Sequence, residues 1–366
     1  MAACVGQRRS TPGSSAIFTA GSDVAGKAIR DALSVLDITV FNRTSLFTIQ
    51  VLLTVVLGLQ RLQPGCEMAR NLLAVASRMA LSLSMHRSNE VDTSFDDRME
   101  MLRVFWCVYM LDVETAMCDK MPPCIHDDDI DWLLIEPPKF TYGGHGIVQS
   151  STGVTLSLYS ARQRLARIAG LILNEVYTSR GRHLPSNLRD ETARRLNAKL
   201  QDWKAEWFAY GRATEVSQEW QESVLVHIAN LQFTFFQCLL RANPDMASTA
   251  VDVCNIVKDG DDLPLIPTHC LDAARGALRL AMAIRNGEAA YISNAMQYTI
   301  PAMVLLLNSS TVTPLQQDRA SDLALAKTAL DVVVHFVERG GVTELSTTLE
   351  ACQTLWSMAT LHESPC

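Results

Sequence analysis

A dense run of aspartates, IHDDDID, holds the residue types in this chain best suited to metal chemistry. Asp127, Asp129 and Asp131 alternate like the first three ligands of a calcium-binding EF-hand loop. The sixth position of such a loop requires Gly and is Trp132 here, and the twelfth requires a bidentate Glu and is Pro138. The spacing therefore argues against a Ca²⁺ loop.

The same run contains a second metal motif. Asp127, Asp128 and Asp131 form DDxxD, which in all-helical isoprenoid synthases binds the Mg²⁺ ions that hold a diphosphate. Because Mg²⁺ needs nearly octahedral oxygen ligands, such a site also requires a second acidic cluster across the cavity. The sequence contains no second cluster of the Asn-Asp-x-x-Ser-x-x-x-Glu kind. A Mg²⁺-dependent isoprenoid synthase is therefore an alternative hypothesis and not the leading one.

The leading interpretation gives the aspartates a structural role. Carboxylates near the N-terminus of a helix accept backbone N–H bonds and complement the helix dipole. We therefore expect them to cap a short helix, whose buried anchors are Ile125, Ile130 and Trp132.

Other signatures of enzyme chemistry are missing. The eight histidines include no pair at i, i+3 or i, i+4, and the ten cysteines include no C-x-x-C pair. The sequence also lacks G-x-S-x-G, P-loop and G-x-G-x-x-G motifs. We therefore predict no catalytic, cofactor-binding or metal-binding residue, no cofactor, and a protein that is not an enzyme.

A core helix must position the acidic run. Its apolar residues recur at helical spacing: Leu102, Phe105, Trp106, Tyr109, Val113 and Ala116. Ser94, with Asp97 three residues later, is a candidate N-cap. Pro122 and Pro123 must end the helix, because proline cannot continue it.

The rest of the chain also has helical periodicity and lacks alternating strand patterns. The sequence predicts an all-α fold, a large irregular multi-helix domain over residues 23–366 behind a flexible tail over 1–22. Residues 140–153, rich in Gly and Ser, are expected to form a loop. Further helices are expected at 27–36, 46–62, 72–87, 156–177, from 185 onward, 223–240, 270–285, 291–307, 319–338 and 344–360.

Composition limits the class of protein. With 366 residues, 48% of them hydrophobic, the chain can bury a large core. The formal net charge of -7 does not suit a surface that must neutralise phosphates, so direct DNA binding by this chain is disfavoured. The longest apolar run has nine residues, 51–59, against about 20 for a membrane span, so we expect no membrane association. Scattered cysteines indicate reduced, buried thiols.

Three blocks of sequence resemble the regulatory middle-homology domain of fungal-specific transcription factors, which usually follows a zinc binuclear cluster of six cysteines. They are SLFTIQVLL at 45–53, ASRMALSLSMHR at 76–87, and RVFWCVYMLD with IHDDDID over 103–131. The best-matching part is residues 40–310. The resemblance implies that the structural signature of the family consists of Gln50, His86, Arg87, Arg103, Phe105, Trp106, Tyr109, Asp112, Asp127, Asp129 and Asp131.

The chain departs from that family in two ways. Ser84 replaces a glycine before the His-Arg pair, Val113 replaces an arginine, and a Lys-Met-Pro triplet replaces Gly-Arg-Pro before the acidic run. No six-cysteine zinc cluster precedes the matched region, since only Cys4 lies before Cys66. We therefore expect DNA contact to come from a missing exon or from another protein.

The resemblance implies a nuclear regulator of transcription, shuttling with the cytoplasm, that controls a pathway-specific gene set such as one for secondary metabolism. Its expected partners are the transcription machinery or a DNA-binding protein, and its expected state is a homo- or heterodimer. A helical adaptor module without DNA binding is a further alternative.

Overall fold

The computed structural model describes residues 27, 31, 33, 34, 44–62, 66–87, 95–119, 121–131, 147–149, 155–208, 222–243, 266–283, 289–312, 318–340 and 346–360. Several features predicted from the sequence lie wholly or largely outside the described residues: the tail over 1–22, the helix over 27–36, the N-cap Ser94, the anchor Trp132 and most of the loop over 140–153.

Eleven α-helices account for most of the described residues, and the all-α fold class is confirmed. A 3₁₀ turn, Asp127–Asp129, follows the third helix, and a π-helical turn, Leu173–Tyr177, follows the fourth. The helices are α1 (Leu46–Leu62), α2 (Glu67–Ser82), α3 (Phe95–Asp119), α4 (Leu158–Ile172), α5 (Ser179–Arg182), α6 (Ser186–Phe208), α7 (Glu222–Ala242), α8 (Thr268–Ala283), α9 (Ala289–Val312), α10 (Arg319–Gly340) and α11 (Ser346–Thr360).

A small hairpin precedes α4. Strands β1 (Ile147–Gln149) and β2 (Thr155–Ser157) pair antiparallel, where the sequence predicts a loop that leads into a helix from residue 156. The helix starts later because Ser157 is its N-cap: the hydroxyl accepts a hydrogen bond from the backbone N–H of Ser160 at 3.4 Å. The hairpin adds three residues per strand and leaves the fold class unchanged.

Helix α3 lies at the centre of the first half of the fold, in contact with α1, α2, α4 and α7. Phe105, Trp106 and Tyr109 are fully buried, as their spacing predicts. Trp106 meets both other rings edge-on, with centroids 5.6 and 5.3 Å apart. Val108 and Leu111, off the predicted face, are buried as well, so α3 is buried on more sides than its periodicity indicates.

Helix α9 has the corresponding position in the second half. Residues 302–310 are all buried, and α9 contacts α8, α10 and α11 as well as α1. One continuous hydrophobic cluster includes residues from α1 to α11. Within the described residues, no helix is long and apolar enough to cross a membrane.

An ion pair joins α8 to α10. The Arg275 guanidinium donates from Nε and Nη2 to the two carboxylate oxygens of Asp322, at 2.7 and 2.8 Å. The Asp322 side chain is only 2% exposed and that of Arg275 12%. Asp272 and Asp318, both at the surface, also contact the guanidinium. The pair is thus bidentate and buried, the geometry in which loss of one partner costs most.

We predict that Asp322→Ala lowers the free energy of unfolding by about 3 kcal/mol, because it leaves a buried guanidinium with only its two surface partners. The control is Asp331→Ala, which removes one partner of the exposed Lys327–Asp331 pair on α10 and should cost about 0.5 kcal/mol or less. Urea denaturation of both variants measures the difference. Equal losses would contradict the assigned role of Arg275.

Candidate functional site

The acidic run lies directly after α3 as a single 3₁₀ turn, Asp127–Asp129. Ile125 and Ile130 are buried on either side of it, so two of the three predicted anchors are confirmed. The predicted capping role is wrong. The N-cap position is His126, and no side chain caps the turn.

Asp127 points into the core instead of capping the turn. Its carboxylate accepts a short hydrogen bond from the Tyr109 hydroxyl of α3. A buried tyrosine needs a partner for its hydroxyl, and the turn supplies it. Gly170 of α4 packs against this pair, since a Cβ atom there would lie 2.8 Å from the tyrosine oxygen and 3.2 Å from the carboxylate. A Cβ atom at this position would force the hydroxyl or the carboxylate to shift.

A second carboxylate, Asp112 of α3, holds the chain just before the turn. Its Oδ2 atom accepts the backbone N–H of Ile125 at 2.9 Å, in a bond that is buried. At the far side of the turn, the N–H of Asp131 donates to the carbonyl of His86 at 3.0 Å. The segment is therefore held at three places, two of them on α3 and one after α2.

Burial dominates the electrostatics of this region. It raises the pKa of the Asp127 and Asp112 carboxyls, while the hydrogen bonds from Tyr109 and from the Ile125 amide respectively oppose the rise. Burial and the nearby Asp112 raise the pKa of the Cys124 thiol to about 11. That thiol is therefore protonated near neutral pH and is a poor nucleophile.

Five residues of the predicted signature come together around the turn: His86, Tyr109, Asp112, Asp127 and Asp131. We call them the signature cluster. Phe105 and Trp106 pack in the core beside it, and Asp129 is exposed on the turn. That these residues form a family signature stays a prediction.

The remaining three signature residues lie away from the cluster. Gln50 of α1 donates from Nε2 to Glu100 of α3 at 2.7 Å. The backbone carbonyl of Arg103 accepts the hydroxyl of Tyr159 at 3.5 Å. Arg87 is exposed where the chain leaves the cluster. The first two contacts join α3 to α1 and to α4.

Ser84 occupies a position where the family that the sequence resembles has glycine. Its backbone conformation explains the preference for glycine. Its φ angle is 53°, in the left-handed region that favours glycine. The N–H of Ser84 bonds the carbonyl of Leu81, and that of Met85 bonds the carbonyl of Ala80. This is a Schellman ending of α2 with serine in place of glycine, and it positions His86 for the turn.

Two features of this region are not predictable from the sequence. Gly170 appears there as an ordinary helical glycine. Arg162 of α4 donates from Nε and Nη2 to the two oxygens of Glu114 on α3, at 2.6 and 2.5 Å. The partners are 48 residues apart, so no local spacing could pair them.

The geometry does not favour the isoprenoid synthase alternative. In DDxxD enzymes both leading carboxylates face a cavity, whereas here Asp127 bonds Tyr109 in the core and Asp128 is exposed to solvent. Among the described residues, no group of three His, Cys, Asp or Glu side chains could hold a metal ion.

Comparison with known families identifies the chain. The profile for the fungal specific transcription factor domain matches residues 18–205, just over half of the chain, and includes the whole signature cluster. The chain belongs to this family. The predicted best-matching extent of 40–310 stays a prediction.

Curated relatives of this fungal transcription factor domain agree with the assignment. Proteins named ABC-transporter-regulating transcription factor in Aspergillus fumigatus and Aspergillus oryzae are each 24% identical, over 84% of this chain and 35% of their own length. An uncharacterized transcriptional regulatory protein of Schizosaccharomyces pombe is 22% identical, over 78% of this chain and 38% of its own. The chain thus spans about a third of the length of these relatives. No solved structure gives a significant match.

We predict that Ser84→Gly raises the free energy of unfolding by about 0.5–1 kcal/mol, because glycine adopts a positive φ without the Cβ clash. Ser82→Gly, two residues earlier and inside α2, is the matched control and should lower it by a similar amount. Chemical denaturation of the two variants compares them. A destabilised Ser84→Gly would show that the serine side chain is required at this position.

The raised pKa of Asp127 predicts a pH dependence. The folded state holds this proton more tightly than the unfolded state, whose pKa is about 3.9, so stability falls as pH rises through the raised pKa. Relative to Asp127→Asn, which cannot titrate, the wild type should lose stability from about pH 4 upward. Denaturation midpoints across pH measure this difference.

Asp129→Asn is the control for the pH series, because the Asp129 side chain is exposed. Its stability relative to wild type should change little over the same range. If the wild type instead gains stability relative to Asp127→Asn as pH rises, the hydrogen bond from Tyr109 lowers the Asp127 pKa by more than burial raises it. The assigned direction of the pKa shift is then wrong.

Proposed function

We propose that this chain is the regulatory region of a fungal regulator of transcription. The observation that carries the proposal is family membership together with an intact signature cluster inside the matched region. The named relatives, all described as transcription regulators, support it.

The chemistry of the cluster supports regulation over catalysis. The Tyr109 hydroxyl and the Asp112 carboxylate, the polar side chains that α3 brings to the turn, are both engaged in internal hydrogen bonds. A cluster of that kind stabilises one arrangement of α2, α3 and the turn. It leaves no activated nucleophile at the turn, since the nearby Cys124 thiol has a raised pKa.

DNA contact, in this proposal, comes from a missing exon or from a DNA-binding partner. The net charge of -7 supports this division of labour, since a phosphate-binding surface needs an excess of Lys and Arg. The chain itself contacts the transcription machinery or that partner, as a homo- or heterodimer. It works in the nucleus and shuttles with the cytoplasm.

The proposed target genes form a pathway-specific set. The resemblance alone suggests secondary metabolism, whereas the names of the two Aspergillus relatives favour genes for ABC transporters. The proposed organisation is a helical regulatory domain over 23–366 behind a flexible tail over 1–22. If the chain binds no DNA-contacting protein, it is the helical adaptor that the sequence leaves open.

We predict that deleting the gene changes the transcripts of a limited gene set and that the wild-type chain restores them. Asp112→Ala should fail to restore them, because the buried Ile125 amide loses its acceptor at a cost of about 1–3 kcal/mol. Asp129→Asn, at an exposed position, should restore them fully. RNA sequencing of the parent, the deletion strain and the three complemented strains measures the effect.

No transcript change on deletion would contradict the proposed function. If transcripts do change, the chain is next tethered to a heterologous DNA-binding domain, to test where DNA contact comes from. A tethered chain that changes a reporter supports a regulator whose DNA contact lies elsewhere. An in-frame six-cysteine cluster in the genomic sequence upstream of Met1 supports the missing exon.

A further inference from the structure

The corner between α5 and α6 carries a positive charge that contrasts with the rest of the chain. Residues 176–189 contain Arg180, Arg182 and Arg189 and no Asp or Glu, so their formal charge is +3 with histidine neutral. Since the whole chain carries -7, the remaining residues together carry -10. All three arginines are exposed, as is Leu188 among them. We call these four residues the basic corner.

Hydrogen bonds and close packing fix the backbone of the basic corner. The N–H groups of Arg182 and Arg189 each donate to a backbone carbonyl, both at 3.0 Å. Gly181 is buried against the π-helical turn, where a Cβ atom would lie 2.1 Å from the carbonyl oxygen of Glu175. Arg195 of α6 bonds the Glu175 carboxylate, which fastens α6 to the same turn. A partner therefore meets a surface that is already ordered, and binding costs less entropy.

Arg189 occupies an electrostatically unfavourable place in its helix. It lies in the first turn of α6, where the helix dipole is positive and a cation lowers helix stability. The same turn contains no acidic residue that would offset the repulsion. Departures from local folding rules are expected at functional sites. The helix end adds to the positive potential of the basic corner, and an anionic partner would relieve the repulsion.

Leu188 gives the basic corner an apolar contact. Its side chain is 42% exposed, and it directly precedes Arg189 in the first turn of α6. Guanidinium groups bind carboxylates with two parallel hydrogen bonds, and arginine clusters recognise acidic peptide motifs. A leucine beside arginines therefore fits a segment that presents an apolar side chain next to its carboxylates.

A nucleic acid fits the basic corner less well. Three arginines neutralise few phosphates, whereas a duplex continues past them over a chain that carries -10 elsewhere. Asp190 and Glu191 follow the corner on α6, are exposed, and would repel further phosphates. Leu188 has no counterpart in a phosphate backbone. A short acidic peptide avoids these costs, because its contacts can end where the corner ends.

We propose that the basic corner docks an acidic segment of a partner protein, in which Asp or Glu residues flank a leucine or another large apolar side chain. The carboxylates accept hydrogen bonds from Arg180, Arg182 and Arg189, and the apolar side chain packs on Leu188. This surface is the partner contact of the proposed regulator, so the inference rests on the proposed function.

Fluorescence anisotropy tests the inference with the full chain and a labelled peptide, Glu-Asp-Leu-Glu-Asp-Leu-Glu-Asp. At low salt we expect a Kd on the order of 100 μM, as suits a short peptide with few contacts. Binding should weaken roughly tenfold or more in about 0.5 M salt, because exposed charges are screened. The same peptide with serine in place of leucine should bind roughly threefold more weakly, because it loses the apolar contact.

Arg182→Glu/Arg189→Glu should weaken peptide binding roughly tenfold or more, because it replaces attraction by repulsion. Arg78→Glu/Arg279→Glu is the matched control, since it makes the same charge change at exposed arginines of α2 and α8. It should bind within about twofold of the wild type, because charges further apart than about 10 Å are screened. Arg182→Gln/Arg189→Gln, which should weaken binding roughly threefold, is the second variant if charge reversal prevents folding by circular dichroism.

Three results overturn the inference: no binding of the leucine peptide by the wild type, equal losses in the corner and control variants, and equal binding of the leucine and serine peptides. Tighter binding of a short DNA duplex than of the peptide overturns it as well. These assays measure binding without a transcription readout. Failed binding beside a normal deletion phenotype contradicts the docking surface alone, and intact binding without any transcript change contradicts the proposed function.

Discussion

Helix α3 is buried on nearly all sides, and the polar groups that it carries into the protein core must form hydrogen bonds. This requirement organises the fold. Helix α3 carries the Tyr109 hydroxyl and the Asp112 carboxylate into an apolar interior, where an unpaired polar group would cost about 1–3 kcal/mol. The segment after α3 returns to supply both partners, from Asp127 and from the Ile125 amide. Gly170 on α4 leaves space beside this bond, since a Cβ atom there would lie 2.8 Å from the tyrosine oxygen and would force it to shift.

Much of the fold follows from periodicity, and most of the cluster does not. Residues 46–62 are apolar on nearly all sides and end before Pro64, so both ends of α1 are predictable from local sequence. Ile125 and Ile130 are predictable as anchors for the same reason. The direction in which the Asp127 side chain points is not predictable in this way. Its carboxylate can accept a hydrogen bond from a backbone N–H of the turn or from Tyr109, and only the packing of α3 decides between the two. Short strands such as 147–149 lack enough residues for a pattern.

The replacement of glycine by Ser84 connects sequence family and structure. A position that the resembling family fills with glycine has a positive φ here, and α2 ends there in a Schellman pair of hydrogen bonds. Serine at this position costs local strain, because its Cβ atom disfavours a positive φ. Of the aspartates that first suggest metal binding, Asp127 bonds Tyr109 of α3 through its side chain, and Asp131 bonds the carbonyl of His86 through its backbone N–H. A regulator needs such a fixed scaffold.

Internal hydrogen bonds hold the acidic segment to the core. Hydrogen–deuterium exchange of the wild-type chain tests this most directly, by following the peptide over 121–131 against the buried middle of α3. The amides of Ile125 and Asp131, bonded to Asp112 and His86, should exchange about as slowly as those of α3. Exchange of the whole peptide within seconds, like that of a solvated loop, would contradict the account.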